Sequence, residues 1–526
     1  MKFKNKDYLF ILILFIIFYL VYGSKIGSML IDFSRESYIP FKMLKGGVLF
    51  KDIFVIYGIF GYIINSLIYK ISENFNLLIA LSCGISLAIT YLYYFILKKF
   101  INEKHIIYIL LLGFISLSIF SNSTFSFVLP YSYSTLWAVL GLYCLLTSIL
   151  YKKKIYAFLS LGLILANRIE FFIPALIVSI AYYLFKKEKI LKYIPLIFVF
   201  SSVNLIYIIK NNIALEDIKN NLSFIKNMTE SPALAYLYKS LGGFFEPKNF
   251  LICFIVILFF SITVFFFKYK RLNILKYLIY TAGLIIISPF EALNLVLIPI
   301  LIMYFIKRKS LDSDHYVVLL TGIILSLKSL FKTGTLSYSN FGFFILLLCL
   351  YFVLEKTLNN KKVIFNIFCI YIICCNIFNL SYFFSNPKFK INTTRGTLYL
   401  KDYEKELFYQ LKDYVNTEMK NKDFITVPEG EIFNFIFNGT HKFYNSTFTP
   451  LDFDAFKEEN LIKELQSKKP EYIIFFPRNT KDYGKPAICY NYAIDFCTYI
   501  MDNYQRKKIL NSRYKALIFE RLKNEK

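Results

Sequence analysis

Long apolar runs separated by short loops are the feature that most constrains how this chain can fold. Thirteen runs are candidate membrane spans, although several are shorter than the ~20 residues a helix needs to cross a bilayer. They cover residues 8–22, 77–97, 105–121, 131–151, 155–168, 171–185, 192–210, 250–267, 274–289, 292–306, 315–331, 339–355 and 363–384. The first run is expected to continue as a helix to about Leu30. We therefore predict a polytopic α-helical membrane protein with about 11–13 transmembrane helices.

The basic residues of the chain fall in every second loop. Lysines and arginines cluster before the first run and after the second, fourth, sixth, eighth, tenth and twelfth, whereas the short loops between have almost none. Because basic loops stay on the cytoplasmic side, this pattern predicts a cytoplasmic N-terminus and an extracytoplasmic tail. No A-x-A-like cleavage site follows the first run, so we expect it to be a retained span. The pattern of basic loops also explains the formal net charge of +26 without nucleic acid as a partner. We expect a multi-pass protein of the cell's inner (cytoplasmic) membrane, with membrane lipid as a partner.

The same alternation decides two ambiguous segments. If residues 55–71 crossed the membrane, every later basic loop would face outwards, so we expect them to lie at the outer interface as a helix. Residues 155–185 could form one long helix, but basic loops at both ends require an even number of crossings. We therefore predict a hairpin of two short helices with Arg168 and Glu170 at its outer turn.

The composition becomes polar near the end of the last apolar run, which predicts two domains. Residues 1–388 form the multispanning domain, with long outer loops at about 24–76 and 211–248. Residues 389–526 form a small extracytoplasmic α/β domain.

The tail shows short elements of both kinds. They are a helix at 398–419, a strand at 423–427, a turn at 428–430, a helix at 455–466, a strand at 472–476, a helix at 490–503 and a strand at 515–520. If this tail is extracytoplasmic, Cys489 and Cys497 lie in a compartment where they can form a disulfide.

The first outer loop carries three charged residues at helical spacing directly after the first span. Asp32 comes first, and Arg35 and Glu36 follow at i+3 and i+4, which places all three on one helical face. A carboxylate at the outer mouth of a helix bundle is partly desolvated, which suits a general base. The alternative is a solvated cluster of ions at the interface, without a chemical role.

This loop resembles the first outer loop of bacterial membrane glycosyltransferases of the GT-C superfamily, relatives of the protein O-mannosyltransferases and aminoarabinose transferases. Their pattern is an acidic residue after the first span, then G-R-E-x-Y-x-P, a G-x-x-L-Y-x-D-x-F run and Y-G-P. The residues that match it here are Asp32, Arg35, Glu36, Tyr38, Pro40, Gly46, Leu49, Asp52, Phe54, Tyr57 and Gly58. The chain departs from the pattern at Ser34, Phe50 and Ile59, none of which removes a titratable group.

Further stretches are similar to other motifs of that superfamily. Residues 166–170 stand where its members carry T-K-P-E, and they keep a cation and a carboxylate. Residues 338–341 resemble a late Y-G-x-F segment. In the tail, residues 427–435 resemble a P-E-G-x-x-x-N-F-L motif, so the similarity touches both ends of the chain.

The resemblance implies an enzyme that transfers a sugar from a polyprenyl-phosphate donor to an extracytoplasmic glycan, lipid or protein. The reaction is a direct displacement with inversion, in which Asp32 is the expected catalytic base, supported by Glu36 or Asp52. The residues expected to bind substrate are Arg35, Tyr38, Tyr57, Arg168, Glu170 and Lys332. No metal or other cofactor is expected, although a divalent cation between Asp32 and Asp52 stays open. Acceptor recognition is assigned to the C-terminal domain, in which the turn at 428–430 is expected to be structural.

Several alternatives remain open at this point. Arg168 can simply pair with Glu170 or extend its charge to the interface. The chain can instead be a transporter or flippase of polysaccharide or lipid, an O-antigen-type polymerase or ligase, or a scaffold that displays the tail. No charged residue lies mid-span in the early helices, which disfavours a transporter.

Overall fold

Helices dominate the part of the chain described by the computed structural model, which comprises residues 5–121, 126–240, 247, 251, 312–326, 340–358, 360–420, 422–476, 478–510 and 515–522. The helices before the tail are α1 Asn5–Tyr22, α2 Asp32–Leu44, α3 Phe60–Ile71, α4 Asn76–Phe100, α5 Lys104–Phe114, α6 Tyr133–Leu150, α7 Lys154–Asn167, α8 Ile169–Phe185, α9 Phe198–Lys210, α10 Leu215–Thr229, α11 Pro232–Ser240, α12 Ser313–Ser326, α13 Asn340–Leu358 and α14 Lys361–Ser385. The predicted spans at 250–267, 274–289 and 292–306 lie outside the described residues.

Five segments of the described chain are long and apolar enough to cross a membrane, judged by length and composition. They are Lys6–Lys25, Asn76–Phe100, Tyr133–Leu150, Leu191–Lys210 and Lys361–Ser385. The longest of them rise by about 37 Å at 1.5 Å per residue, which exceeds the ~30 Å of a hydrocarbon core. The prediction of a mostly helical chain with several membrane-length helices is therefore confirmed.

The first helix is shorter than we predicted. It ends at Tyr22 and does not continue to Leu30, since a short 3₁₀ turn over Gly23–Lys25 follows it. Gly23 and Gly27 both have positive φ, a conformation that stops a helix and that glycine adopts without strain. The chain therefore turns sharply before α2 begins at Asp32.

The two ambiguous segments form short helices. Within residues 55–71 only α3 is helical, and its 12 residues rise by about 18 Å, too little to cross a bilayer. Residues 155–185 are divided as predicted into α7 and α8, and the break is Arg168, whose φ of −145° and ψ of 101° are extended. At this break the Asn167 carbonyl is free to accept a hydrogen bond from the Gly58 N–H.

The tail contains two small sheets and five α-helices among its described residues. The strands are β1 Phe389–Thr393, β2 Gly396–Leu400, β3 Phe424–Val427, β4 Tyr472–Phe475, β5 Tyr504–Ile509 and β6 Leu517–Arg521. β1 and β2 form an antiparallel hairpin, while the larger sheet has the order β3-β4-β6-β5, with β3 and β4 parallel. The described helices of the tail are α15 Asp402–Thr417, α16 Glu431–Ile436, α17 Pro450–Phe456, α18 Glu458–Lys468 and α19 Ile494–Asn503.

Three predictions for the tail need correction. Residues 398–400 belong to β2, so the helix predicted there begins only at Asp402, because pairing with β1 outweighs local helix preference. The helix predicted at 455–466 is divided by Lys457, which has a positive φ of 68°. The helix predicted from residue 490 begins at Ile494, and Cys489 just before it is bonded to Cys497 as a disulfide.

The C-terminal domain packs directly on α2 and α3. The ring of Phe435 in α16 lies 5.1 Å from Phe41 and stacks on Tyr69 at 5.2 Å. The buried Tyr38 hydroxyl accepts a hydrogen bond from the His441 backbone N–H at 3.1 Å. These contacts hold the domain against the helix that carries Asp32.

Candidate functional site

Asp32 is the first residue of α2, and its carboxylate faces two guanidinium groups. Among the described residues none donates a hydrogen bond to this carboxylate, although Arg35 and Arg478 both interact with it electrostatically. Part of its surface stays accessible, yet the surrounding protein removes enough water for burial to raise the pKa of the carboxyl, an effect that the two arginines oppose. Asp32 is thus a recessed acid with an available proton-accepting face.

Tyr57 joins two further parts of the site. Its ring is covered by the guanidinium carbon of Arg168 at 3.9 Å and by that of Arg35 at 5.4 Å. The Tyr131 ring meets Tyr57 edge-on at 6.1 Å, and the Arg35 side chain donates to the Tyr131 carbonyl at 3.0 Å. The structure therefore brings Asp32, Arg35, Tyr57 and Arg168 into one cluster.

Arg168 is almost fully buried at the break between α7 and α8. One terminal nitrogen donates to the hydroxyls of Thr135, Ser132 and Tyr131, the latter two at 3.3 and 3.4 Å, and the other pairs with Glu170 at 3.1 Å. Its Nε makes no hydrogen bond to the described residues. The pairing with Glu170 that we considered as an alternative is present, while the guanidinium still lies on Tyr57.

Gly58 explains how the Tyr57 loop reaches Arg168. Its backbone N–H donates to the Asn167 carbonyl at 3.1 Å. A Cβ at this position would lie 2.3 Å from that carbonyl oxygen, so only glycine permits the approach. Tyr57 is consequently held beside the C-terminal end of α7.

Glu36 stabilises the site by contacting Arg35 and two neighbouring helices. The carboxylate is fully buried, accepts hydrogen bonds from the Tyr62 hydroxyl at 2.8 Å and the Tyr133 backbone N–H at 2.9 Å, and lies 3.6 Å from Arg35 Nε. Burial raises its pKa, and Arg35 lowers it. Because both oxygens are occupied by partners from α3 and α6, Glu36 orients Arg35 and joins three helices.

Asp52 and Tyr38 lie away from this cluster. The Asp52 carboxylate accepts a hydrogen bond from the Val48 N–H at 2.9 Å, and the backbone carbonyl of Asp52 accepts one from the Lys42 ammonium group at 3.1 Å. Lys42 is ten residues after Asp32 on α2, or about 15 Å along the helix. Asp52 and Asp32 are therefore not arranged to share a cation, and Tyr38 is a packing residue under His441, 5.2 Å between ring centres.

The C-terminal domain completes the cluster through the ends of two parallel strands. β3 is followed by the turn at 428–430, and the end of β4 is joined to it by a 2.7 Å hydrogen bond from Phe476 N–H to the Val427 carbonyl. Arg478, just after β4, forms an ion pair with Glu429 of the turn. The carboxyl ends of parallel strands meet at one edge, and here that edge faces the start of α2.

Glu431 makes the direct contact between this edge and α2. Its carboxylate accepts from the Ser34 hydroxyl at 2.9 Å and from the Gly430 N–H at 3.2 Å, while Ser34 accepts from the Ile432 N–H at 2.6 Å. The side chain is completely buried, which raises the pKa of its carboxyl to about 7. The pKa of Glu431 thus lies near neutral pH, and the residue is beside the candidate site.

Two further tyrosines also approach the site. Tyr483 interacts electrostatically with Arg478, Asp32 and Arg35. Tyr238 of α11 interacts in the same way with Tyr57 and Tyr131. The region predicted as an outer loop at 211–248 therefore contains α10 and α11, and α11 reaches the site.

Sequence reasoning missed Arg478, Glu431, Tyr131 and Tyr483. For Glu431 and Arg478 the available signal was their position after β3 and β4, where two adjacent parallel strands are followed by charged residues. Lys332, expected to bind substrate, lies outside the described residues, as does Tyr338.

The cluster combines one recessed carboxylate with three guanidinium groups, an arrangement that can accept a proton and bind a phosphate. In the described part of the chain, no group of three or more His, Cys, Asp or Glu side chains is placed to hold a metal ion. Neither a comparison with models of protein families nor a search of curated proteins finds a match to this chain. Support for a function therefore comes from side-chain geometry and from the motifs of the sequence.

Proposed function

We propose that the chain is a membrane glycosyltransferase that transfers a sugar from a polyprenyl-phosphate donor to an extracytoplasmic glycan, lipid or protein. The observation that carries this proposal is the cluster of Asp32 with Arg35 and Arg478, joined to Arg168 through Tyr57. The resemblance of the first outer loop to GT-C enzymes agrees with it.

The proposed reaction is a single displacement at the anomeric carbon. The Asp32 carboxylate takes the proton of an acceptor hydroxyl as that oxygen bonds to C1 of the sugar. The bond between C1 and the phosphate oxygen breaks on the opposite face, so the configuration inverts and polyprenyl phosphate leaves. Burial supports the role of Asp32, because a raised pKa makes its carboxylate a stronger base.

The arginines are proposed to bind the leaving phosphate. Guanidinium groups stabilise the charge that grows on a departing phosphate and match its geometry. Each of the three arginines has a glutamate partner, but Arg35 and Arg478 also face Asp32, whereas Arg168 bonds four side chains of its own surroundings. We therefore assign phosphate binding chiefly to Arg35 and Arg478.

The proposed orientation has about 11–13 transmembrane helices, with the cluster and the C-terminal domain outside the cytoplasmic membrane. Support comes from the alternation of basic loops and from the five membrane-length segments. The disulfide between Cys489 and Cys497 agrees with an oxidising compartment. A polyprenyl chain would then lie between helices with its phosphate at the outer interface.

Complementation of a deletion strain tests the proposal. We expect Asp32→Asn to lose the surface glycan that is lost on deletion, because removal of a general base costs about 10²- to 10⁴-fold in rate. Mass spectrometry of surface glycans, glycolipids and glycoproteins gives the readout, with membrane levels matched by immunoblot. Asp402→Asn is the control, since it makes the same change on an exposed residue of the C-terminal domain.

Two results would contradict the proposal. If Asp32→Asn restored the glycan fully, Asp32 would not be the catalytic base. Accumulation of the lipid-linked sugar on the cytoplasmic side in that strain would indicate a flippase, whereas a transferase leaves it accessible from outside. Arg478→Gln should reduce transfer without changing membrane level, which tests the contribution of the C-terminal domain.

A further inference from the structure

A basic cavity lies where α1 and α14 reach the C-terminal domain. Its volume is about 280 Å³, and three lysines from three separate segments line it, namely Lys25, Lys388 and Lys401. Lys388 donates to the Gly27 carbonyl, which fixes its ammonium group at the wall. Glu404 is the one acidic residue among the described lining residues, so the cavity keeps an excess of positive charge.

An apolar groove lies between the same two helices. Its volume is about 360 Å³, and its walls include Phe18 and Tyr22 of α1 and Ile373, Ile377 and Leu380 of α14. The accessible surface of these walls is almost wholly apolar. The groove therefore suits a hydrocarbon chain.

The cavity follows the groove along the last turns of α14. Ile373, Ile377 and Leu380 line the groove, Phe383 one turn further on lines the cavity, and Asn386 lines it just after the helix ends. The rings of Tyr22 and Phe383 touch at 4.9 Å, at the level where the two spaces meet. A molecule with a charged head and an apolar chain fits this succession.

The flanks of the groove are apolar and exposed. Leu20 of α1 is 74% exposed and Phe384 of α14 is 71% exposed. Since α1 and α14 are both of membrane length, these side chains would face lipid. The groove thus opens towards the bilayer, and an occupant drawn from the bilayer can enter it sideways.

We propose that this site binds one anionic phospholipid of the extracytoplasmic leaflet, with its phosphate among Lys25, Lys388 and Lys401 and an acyl chain between α1 and α14. The inference rests on the proposed orientation of the two helices but not on glycosyl transfer. Neither Asp32 nor Arg35 is among the described residues that line the cavity, so the lipid is structural rather than a substrate.

The bound phosphate would also relieve a cost within the cavity. Burial, with Lys401 nearby, lowers the pKa of Lys388 to about 8, while Glu404 raises it. A phosphate adds a second negative charge at this position and stabilises the protonated lysine. The lipid would therefore stabilise the junction between α14 and the C-terminal domain.

Native mass spectrometry of the purified full chain tests the site. Wild-type protein should retain phosphatidylglycerol in preference to phosphatidylcholine of the same chain length. Lys25→Gln with Lys401→Gln should weaken phosphatidylglycerol binding by about fivefold per lysine, or roughly 30-fold together. Lys388 is left in place because it bonds to backbone. Lys412→Gln with Lys420→Gln, on exposed lysines of the same domain, is the charge-matched control.

A second variant tests the groove. Ile377→Trp should fill it and weaken phosphatidylglycerol binding, while binding of glycerol phosphate, which lacks a chain, should not change. Ile370→Trp places the same ring elsewhere on α14 and should have no effect. If glycerol phosphate bound as tightly as the lipid, the site would be one for free anions and the proposal would be wrong.

Three further results would overturn the assignment. If the Lys412/Lys420 control lost phosphatidylglycerol equally, the weaker binding of the Lys25/Lys401 pair would follow from net charge alone and not from the cavity. Equal retention of both phospholipids by wild-type protein would remove headgroup selectivity. Tighter binding of polyprenyl phosphate than phosphatidylglycerol, abolished by the Lys25/Lys401 pair, would assign the cavity to substrate lipid. Each result is independent of glycan transfer in the Asp32→Asn strain.

Discussion

Replacement of Glu431 by glutamine isolates the pH dependence of the contact between α2 and the C-terminal domain. The substitution keeps an acceptor for the Ser34 hydroxyl and the Gly430 N–H. The second carboxylate oxygen is buried without a hydrogen-bond partner among the described residues, so it tolerates a protonated or amide group better than a charge. Glutamine therefore resembles the neutral form of this residue.

The expected magnitude follows from the shift in pKa. Burial raises the pKa of Glu431 from 4.5 to about 7. Below pH 4.5 the carboxyl is protonated in the folded and the unfolded chain alike, and the contact is strongest. Between pH 4.5 and 7 only the unfolded chain ionises, so stability falls as pH rises. Above pH 7 the carboxyl is ionised in both the folded and the unfolded chain, and the total loss in the free energy of unfolding is about 3 kcal/mol.

Hydrogen–deuterium exchange of the peptide covering α16 measures this loss directly. After correction for intrinsic exchange rates, wild-type protection should fall by a factor on the order of 100 between pH 5 and pH 8. In Glu431→Gln, protection should be nearly constant over that range. Glu418→Gln changes an exposed carboxyl of the same domain and should follow the wild type.

Parallel pH profiles of the wild type and Glu431→Gln would refute this reasoning. That result would mean that Glu431 stays ionised in the folded chain despite its burial. The contact with Ser34 would then depend on charge rather than on a neutral carboxyl. A uniform loss of protection in Glu431→Gln at every pH would point to the same conclusion.

Three substitutions elsewhere have expected effects on thermal unfolding in detergent. Gly58→Ala should cost about 1–3 kcal/mol through its clash with a backbone carbonyl, whereas Gly84→Ala, which meets nothing within 4 Å in α4, should be neutral or slightly stabilising. Asn221→Ala should cost about 2–3 kcal/mol, because its amide bonds both backbone groups of Val55 in a buried position. Cys489→Ser should cost about 2–3 kcal/mol by releasing the disulfide, and thiol labelling of intact cells should then detect one new thiol. No change in unfolding temperature in any of the three would contradict the corresponding contact.

Within the described residues, charge patterns and local periodicity predicted most of the helices. The break at Arg168 was predictable because basic loops on both sides of residues 155–185 require an even number of crossings. The strand at 398–400 was not, since its conformation depends on pairing with β1 rather than on its own residues. Pairing of this kind is decided by tertiary contacts, which local propensity does not contain.

The candidate site was only half predictable for a related reason. Arg35 and Arg168 lie at helix ends and Tyr57 in the loop before α3, in segments that the pattern of basic loops predicted to lie on one side of the membrane. Glu431 contacts Ser34 across 397 residues of sequence, and Arg478 approaches Asp32 over a similar distance. No local pattern encodes such a contact, so the part of the site donated by the C-terminal domain required the structure.

The wide separation of Ser34 and Glu431 along the chain has a consequence for biosynthesis. A ribosome adds about 5–20 residues per second, so roughly 20–90 s pass between synthesis of Asp32 and of Arg478. During that interval α2 exists without the edge of β3 and β4. The Asp32 carboxylate and Arg478 therefore meet only after the intervening helices have been synthesised, and the nascent chain cannot carry a complete cluster.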